Sequence, residues 1–222
     1  MADPELDPDP TLNEVRAALA PIVARNAAFD GWSTAAVDMA ADQLGVASAV
    51  ARLAFDGGAI AMIDAWFAHI DAQMLRTCTA ETLTPLKIRE KIATLVETRL
   101  DLLARDREAL RRALAILAMP QNMPRAAQLS WRAADMMWRA AGDTAVDFNH
   151  YTKRTLLAGI YSATLLVFLN DESESHAETR AFLARRIEGV MRFEKSKARM
   201  QARTEHRPSL ARFIGRLRYH AR

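Results

Sequence analysis

Leu12, Val15, Leu19, Ile22 and Val23 recur at the three- and four-residue spacing of one helix face, and Thr11 with Glu14 forms a capping box, T-x-x-E, ahead of them. The break FDGWS ends that helix. Ser33 or Thr34 can cap a short second helix running to Leu44, with Gly45 supplying a left-handed stop. The pattern predicts a third short helix from about Ala47 to Phe55, after which Asp56 caps a longer one bearing Ile60, Ile63, Trp66, Phe67, Ile70 and Met74. Short helices followed by a long one in this order are a helix-turn-helix layout.

Further along, Pro85 stands where a first-turn proline belongs, and Leu86, Ile92, Leu95, Val96, Leu102 and Leu103 mark a helix to about Ala104. Asp106 opens the next helix, which ends at the two prolines of MPQNMP. Another is predicted from about Pro124 to Ala141, stopping at Gly142. After the loop GDTAV, Asp147 can cap a long apolar helix to Leu169. Ser175 and Glu178 form a second capping box, and the helix they open carries Phe182, Leu183, Ile187, Val190 and Met191 before turning basic at KSKARMQAR. No strand-period segment of useful length and no internal repeat is present. With only 8 Gly and 8 Pro in 222 residues, 50% hydrophobic and 26% charged, the expectation is an all-α protein with one sizeable core or two small ones.

Charge divides the chain. From Arg180 to the end there are 13 Lys and Arg against 3 Asp and Glu, a balance of +10, whereas residues 1–179 carry −7. Such a basic end can meet nucleic acid or an anionic membrane. Leu210, Phe213, Ile214, Leu217 and Ala221 share one helix face there, and Arg212, Arg216 and Arg218 surround the others. That is the composition of a reversible, salt-sensitive interfacial membrane helix. Packing of the same apolar face on protein is the alternative. At the other end, MADPELDPDP is acidic and proline-rich, unlike a signal or transit peptide, so residues 1–10 are expected to be a disordered tail and the protein to remain in the cytoplasm. The single cysteine, Cys78, excludes an internal disulfide framework and reads as a small apolar residue.

Residues 31–67 resemble the helix-turn-helix of the tetracycline-repressor (TetR) family of regulators, through the threonine-led second helix, the turn Leu44-Gly45-Val46 and the aromatic Phe55 closing the third helix. A DNA-reading helix needs donors for base edges and cations or hydroxyls for phosphates. Here ASAVARLA offers Ser48 and Arg52, and Ala47 and Arg52 occupy positions where that family commonly has serine and an aromatic. Residues 1–75 are also acidic on balance, so a phosphate backbone would be repelled.

The most unusual stretch runs from Ser130 to Leu169. Thr155–Asn170 is uncharged for 16 residues, short of the roughly 20 that a membrane-spanning helix needs. It is expected to be a core helix whose Leu157, Ile160, Tyr161 and Leu165, with Trp66, Phe67, Ile70, Leu95, Leu114 and Leu117, either line a lipid cavity or pack solid. Tyr161 is the main polar handle, for a ligand headgroup or for a backbone carbonyl. On the preceding helix Trp131, Ala134, Trp138 and Ala141 line one face while Leu129, Met136 and Met137 spread over others. A helix so apolar is buried on both sides or offers one side to a partner.

WRAADMMWRAAGDTAVDFNHYTKR, followed by LLAGIYSATLLVFL, resembles the Coq nine family of accessory proteins in ubiquinone (coenzyme Q) biosynthesis. The shared pattern comprises Asp135, Met137, Trp138, Ala141, Gly142, Asp143, Asp147, Phe148, Asn149, Tyr151, Thr152, Lys153, Arg154, Ile160 and Tyr161. LGVASAVARLAFDGGAI, VETRL and LAILAMPQNMP extend the likeness from about Gly31 to Met191. His150 departs from it, standing where the family commonly has tryptophan.

The resemblance implies an all-α, TetR-like, usually dimeric protein without DNA binding. It would have an N-terminal helix-turn-helix bundle (11–76), a larger helical lipid-binding and partner-docking domain (77–200) and a C-terminal amphipathic membrane helix (201–222). Its partners would be isoprenoid quinone intermediates, the lipid bilayer and the membrane-associated di-iron hydroxylase acting on demethoxyubiquinone. The patch for that enzyme maps onto Asp135, Met137, Trp138, Asp147, His150, Tyr151 and Arg154. Bilayer contact falls to Leu210, Arg212, Phe213, Ile214, Arg216 and Leu217, at the inner face of the cytoplasmic membrane.

No cofactor is expected beyond a bound isoprenoid or phospholipid. His69, His150, His176, His206 and His220 are scattered, without metal-ligand spacing, and no triad or phosphate loop occurs, so an enzyme is not expected. The rival reading is a TetR-type transcriptional regulator binding DNA and a hydrophobic effector.

Overall fold

A computed structural model describes residues 9–144 and 148–205. Those residues form ten α-helices: α1 (Leu12–Asp30), α2 (Thr34–Leu44), α3 (Ser48–Ala54), α4 (Gly58–Thr77), α5 (Ala80–Leu83), α6 (Ile88–Leu103), α7 (Arg107–Leu117), α8 (Met123–Ala140), α9 (Phe148–Phe168) and α10 (Ala177–Glu205). Short 3-10 turns precede α7, α8 and α10.

Local chemistry starts and stops most of them. The Thr11 hydroxyl accepts from the Glu14 amide while the Glu14 carboxylate accepts from the Thr11 amide at 2.8 Å, closing both halves of the box that opens α1. Ser33 caps α2, and Gly45 ends it in the left-handed conformation at φ 67°. Pro21 lies inside α1, yet the helix continues because Val15, Leu19, Ile22, Val23 and Ala27 bury one stripe across it.

Three expected starts are displaced. α4 opens at Gly57 and Gly58, not at Asp56, because the Gly58 amide closes a turn on the Phe55 carbonyl with Gly58 at positive φ. Pro85 lies in the turn after α5, and α6 begins three residues later with the Glu90 carboxylate accepting from the Lys87 amide at 3.0 Å. Before α10, Ser175 sits in the preceding turn at φ 51° and does not cap. The Ser173 hydroxyl takes the Glu178 amide instead, and the buried Asp171 carboxylate takes the Thr179 amide and hydroxyl.

α4 is the spine of the core. Its Met62, Ile63, Trp66, Phe67, Ile70 and Met74 are buried, and it packs against α1, α6, α7 and α8. Trp32 stacks on Trp66 with ring centroids 5.4 Å apart and donates its indole N–H to the Ala109 carbonyl at 3.1 Å. Because α4 belongs to both the N-terminal helices and those that follow, residues up to 183 form one compact unit, and the boundary expected at residue 76 falls inside it. The described residues from 184 to 205 belong to a second unit. Among the described residues no single helix is long and apolar enough to cross a membrane. The expected membrane residues Leu210, Arg212, Phe213, Ile214, Arg216 and Leu217 lie outside the described residues.

At the end of α9, Arg107 donates to the carbonyls of Phe168 and Asp171, and Arg111 donates to that of Leu169 at 2.8 Å. These cations satisfy helix-terminal carbonyls from α7. Asp171 is pushed up by burial, but bonds from Ser173 and Thr179 hold its carboxyl well below the ordinary carboxylate range. Asp171→Ala should therefore cost about 1–3 kcal/mol in urea-induced unfolding at neutral pH. A depressed folded pKa contributes stability above the unfolded value of about 3.9 and loses it as pH falls below that. The cost of the substitution should accordingly shrink on acidification.

Candidate functional site

The corner between α8 and α9 gathers most of the chain's unusual residues. α8 buries Leu129, Ala133, Ala134 and Met137, a stripe narrower than the nearly all-round apolar surface read from its sequence, and leaves Trp131, Met136 and Trp138 half-buried. It ends at Ala141 and turns at Gly142, whose φ of 90° excludes a side chain at low cost. α9 then returns alongside, with Ser130 and Ser162 hydroxyls 3.1 Å apart.

Arg154, on α9, is 1% exposed and holds the corner together. Its Nε donates to Asp135 at 2.5 Å, and one terminal nitrogen donates to Asp143 at 3.0 Å and to the His150 carbonyl at 3.2 Å. Lys153 donates to the other oxygen of Asp143 at 2.7 Å and lies 5.3 Å over the Trp138 ring, whose N–H in turn donates to the Lys153 carbonyl at 3.0 Å. Arg139 reaches Asp135 at 2.8 Å from the solvent side. Burial pushes the Asp135 and Asp143 carboxyls up, and the surrounding cations outweigh it and hold both below the usual carboxylate range.

The expected docking residues thus separate. Met137 and Arg154 are fully enclosed and cannot touch a partner; they position the others. Asp135, Trp138 and His150 are half-buried, and Tyr151 is 61% exposed beside Trp131, ring centroids 6.2 Å apart, with His150 edge-on to it at 5.1 Å. Asp147 lies outside the described residues.

Of the expected lipid residues, Trp66, Phe67, Ile70, Leu95, Leu117, Leu157, Tyr161 and Leu165 are buried, while Leu114 and Ile160 are half-buried. Tyr161 bonds neither a backbone carbonyl nor a free space: its hydroxyl accepts from Arg99 Nε at 2.7 Å. Arg99, 1% exposed, is ion-paired with the equally buried Asp71 and stacks over the rings of Phe67 at 5.6 Å and Tyr161 at 5.3 Å. Arg132 approaches the second Asp71 oxygen at 3.5 Å and pairs with Asp64, as does Arg125.

Sequence reasoning missed this buried ion pair, although the signal was there. Arg99 falls four residues after Leu95 and three after Val96, and Asp71 falls four after Phe67, so helical spacing itself puts both on core faces. An open recess of about 500 Å³ lined by Ile22, Arg25, Asn26, Gln43 and Leu44 lies on α1 and α2, apart from these residues. Among the described residues no three His, Cys, Asp or Glu side chains converge to hold a metal.

Residues 123–194, spanning this corner, match the COQ9 family model. The chain is 33% identical over 167 residues to the mitochondrial ubiquinone biosynthesis protein COQ9 of Rattus norvegicus, covering 72% of this chain and 54% of that one. It is 34% identical over 168 residues to the Homo sapiens protein of the same name, covering 72% and 52%. The chain spans about half the length of these curated relatives. Among solved structures it resembles the TetR transcriptional regulator from Nitrosomonas europaea, with a TM-score of 0.62, 27% identity, and coverage of 78% of this chain and 95% of that one.

The fold is all-α and TetR-like. The expected cytoplasmic location, at the inner face of the cytoplasmic membrane, is corrected by these comparisons: the relatives are mitochondrial proteins by name and point to that compartment. The expectation leaned on the composition of the first ten residues, which carries no weight in a chain that spans half of its relatives.

Removing one partner of a buried pair leaves an uncompensated charge, so Arg154→Ala should lower unfolding stability by about 3–5 kcal/mol. Both carboxylates have depressed pKa values, so their contribution is present above about pH 4 and fades below it. Asp143→Asn should flatten the acid limb of a stability-against-pH curve measured by chemical denaturation; an unchanged limb would remove Asp143 from the clasp.

Proposed function

We infer the function of this chain from its place among the COQ9 proteins, to which its central segment ties it: it serves ubiquinone biosynthesis as an accessory protein. It binds isoprenoid quinone intermediates at a membrane surface and presents them to the di-iron hydroxylase that acts on demethoxyubiquinone. The observation that carries this reading is the α8–α9 corner. A buried guanidinium and two carboxylates fix a ledge on which Tyr151, Trp131, Trp138 and His150 present aromatic area beside fixed charge. Large rigid side chains with charges that set register are what a protein interface uses.

The apolar layer of α4, α6, α7 and α9 supplies the surroundings an isoprenoid tail requires, and the Arg99–Tyr161 bond supplies its polar end. The uncharged outer side of α9, with Leu156 and Leu166 exposed, suits pairing with a second copy. The basic amphipathic segment of residues 207–222 brings the chain to anionic lipid. Binding and presentation require no catalytic group of the chain's own.

Protein isolated from cells under mild conditions should carry extractable isoprenoid quinone, identified by mass spectrometry, and a chain lacking residues 207–222 should keep its fold but lose liposome binding. Tyr151→Ala should weaken association with the hydroxylase at least about tenfold while leaving thermal unfolding unchanged, as an exposed contact residue would. Met137→Ala should instead lower the melting temperature. A lipid-free protein that takes up no isoprenoid quinone, with Tyr151→Ala binding as well as the parent, would refute the reading.

A further inference from the structure

Asp64 and Asp71 lie two turns apart on α4, and Arg125 and Arg132 lie two turns apart on α8, so each pair shares one helix face. The two faces meet. Arg125 pairs with Asp64, and Arg132 donates to the Asp64 carboxylate and, at 3.2 Å, to the Asp64 backbone carbonyl. Deeper in, one oxygen of Asp71 takes the Arg99 ion pair, and Arg99 Nε donates to the Tyr161 hydroxyl at 2.7 Å. A continuous polar seam therefore runs from half-exposed Arg125 and Arg132 to the enclosed Asp71, Arg99 and Tyr161.

Two groups in the middle of that seam are incompletely matched. Arg132 Nε and Asp71 Oδ2 are both shut off from solvent and stand 3.5 Å apart, within ion-pair range, yet neither forms a hydrogen bond with a protein group. Asp71 is 2% exposed and Arg132 35%, so the cation is the side that can swing outward and the carboxylate the side that stays. A donor and an acceptor left facing each other are matched by a group that accepts from one and donates to the other. A hydroxyl does both through one oxygen, whereas a carbonyl only accepts and would set its oxygen against the Asp71 carboxylate. Three guanidinium groups against two carboxylates leave the seam with excess positive charge, which disfavours an ammonium group as the donor. The rings of Phe67 and Tyr161 lie over Arg99 beside this pair, so whatever carries the hydroxyl meets aromatic surface.

We propose that Arg132 Nε and Asp71 Oδ2 form a subsite for the hydroxyl group of an apolar aromatic ligand, which enters between α4 and α8 along Arg132. The inference rests on the lipid reading given above and sharpens it: the isoprenoid ligand is held as a phenol or hydroquinone in preference to a quinone.

The test is isothermal titration of the full chain, under anaerobic conditions, with a decyl-substituted benzoquinone, its hydroquinone and the dimethyl ether of that hydroquinone. The three share a ring and a tail, and only the hydroquinone donates a hydrogen bond. It should bind at least about tenfold tighter than either of the others, as a site built for a hydroxyl discriminates against analogues lacking one. Asp71→Asn replaces an acceptor with a carboxamide that also donates, and should bring the ratio of hydroquinone to quinone affinity close to one. Arg132→Met removes the donor that both ligands share, and should weaken both while keeping the ratio. Arg132 is half-exposed and its loss leaves Asp71 paired with Arg99, so this variant carries the test should Asp71→Asn fail to fold. Equal affinity of the parent for all three ligands would overturn the proposal and leave the lipid reading in place, since water alone would then meet the pair. Unchanged affinities or a lost preference in Arg132→Met, or an undiminished preference in folded Asp71→Asn, would overturn it as well. Binding of none of the three would remove the lipid reading along with it.

Discussion

A guanidinium removed from water must be matched by charge in place, and Arg154 is the point at which this chain meets that demand. Asp135 reaches it from α8, Asp143 from the turn after α8, and the His150 carbonyl from its own helix. Three separate pieces of chain are therefore constrained by one cation. Lys153 and the Trp138 indole repeat the pattern one residue away, so the turn at Gly142 is tied on two sides. The geometry of the ledge bearing Tyr151 and Trp131 follows from this clasp more than from apolar packing, because α8 buries only a narrow stripe.

A second buried cation, Arg99, does comparable work between α4, α6 and α9. It spends its donors on Asp71 and Tyr161 and its flat face on Phe67 and Tyr161. Apolar layers alone slide and repack with little loss, whereas a buried polar cluster is satisfied in one arrangement. The region assigned to lipid is in this way pinned at a polar point inside an otherwise greasy layer.

What the sequence made legible was local. Capping at Thr11, Glu14 and Ser33 and the left-handed stop at Gly45 depend on residues within a few positions of each other, and they fold as their types dictate. Asp56, Pro85 and Ser175 went astray for one shared reason: a stronger competitor stood nearby, two glycines in the first case, the short α5 in the second, and Asp171 with Ser173 in the third. The identity of the α8–α9 motif was legible; its direction was not. A string of Asp, Trp, Lys and Arg marks a place where polar and aromatic groups concentrate, but whether Arg154 faces a partner or the interior is decided by the return angle of α9. Arg99 and Asp71 show the converse, being charges whose helical spacing already placed them inward.

These two facts bear on how the cations of this TetR-like fold are distributed. Reading DNA requires cations free to meet phosphate on the third helix, and the one cation of α3, Arg52, is exposed but engaged by Asp38, while acids outnumber bases over residues 9–75. The basic residues that the chain does possess before Arg180 are largely committed to carboxylates and helix-end carbonyls: Arg99, Arg107, Arg132, Lys153 and Arg154 each bond within the fold. Cations in excess of that need accumulate only after Arg180. A chain arranged this way carries net negative charge before Arg180 and net positive charge after it, so a polyanion is drawn to the C-terminal residues and not to the N-terminal helices.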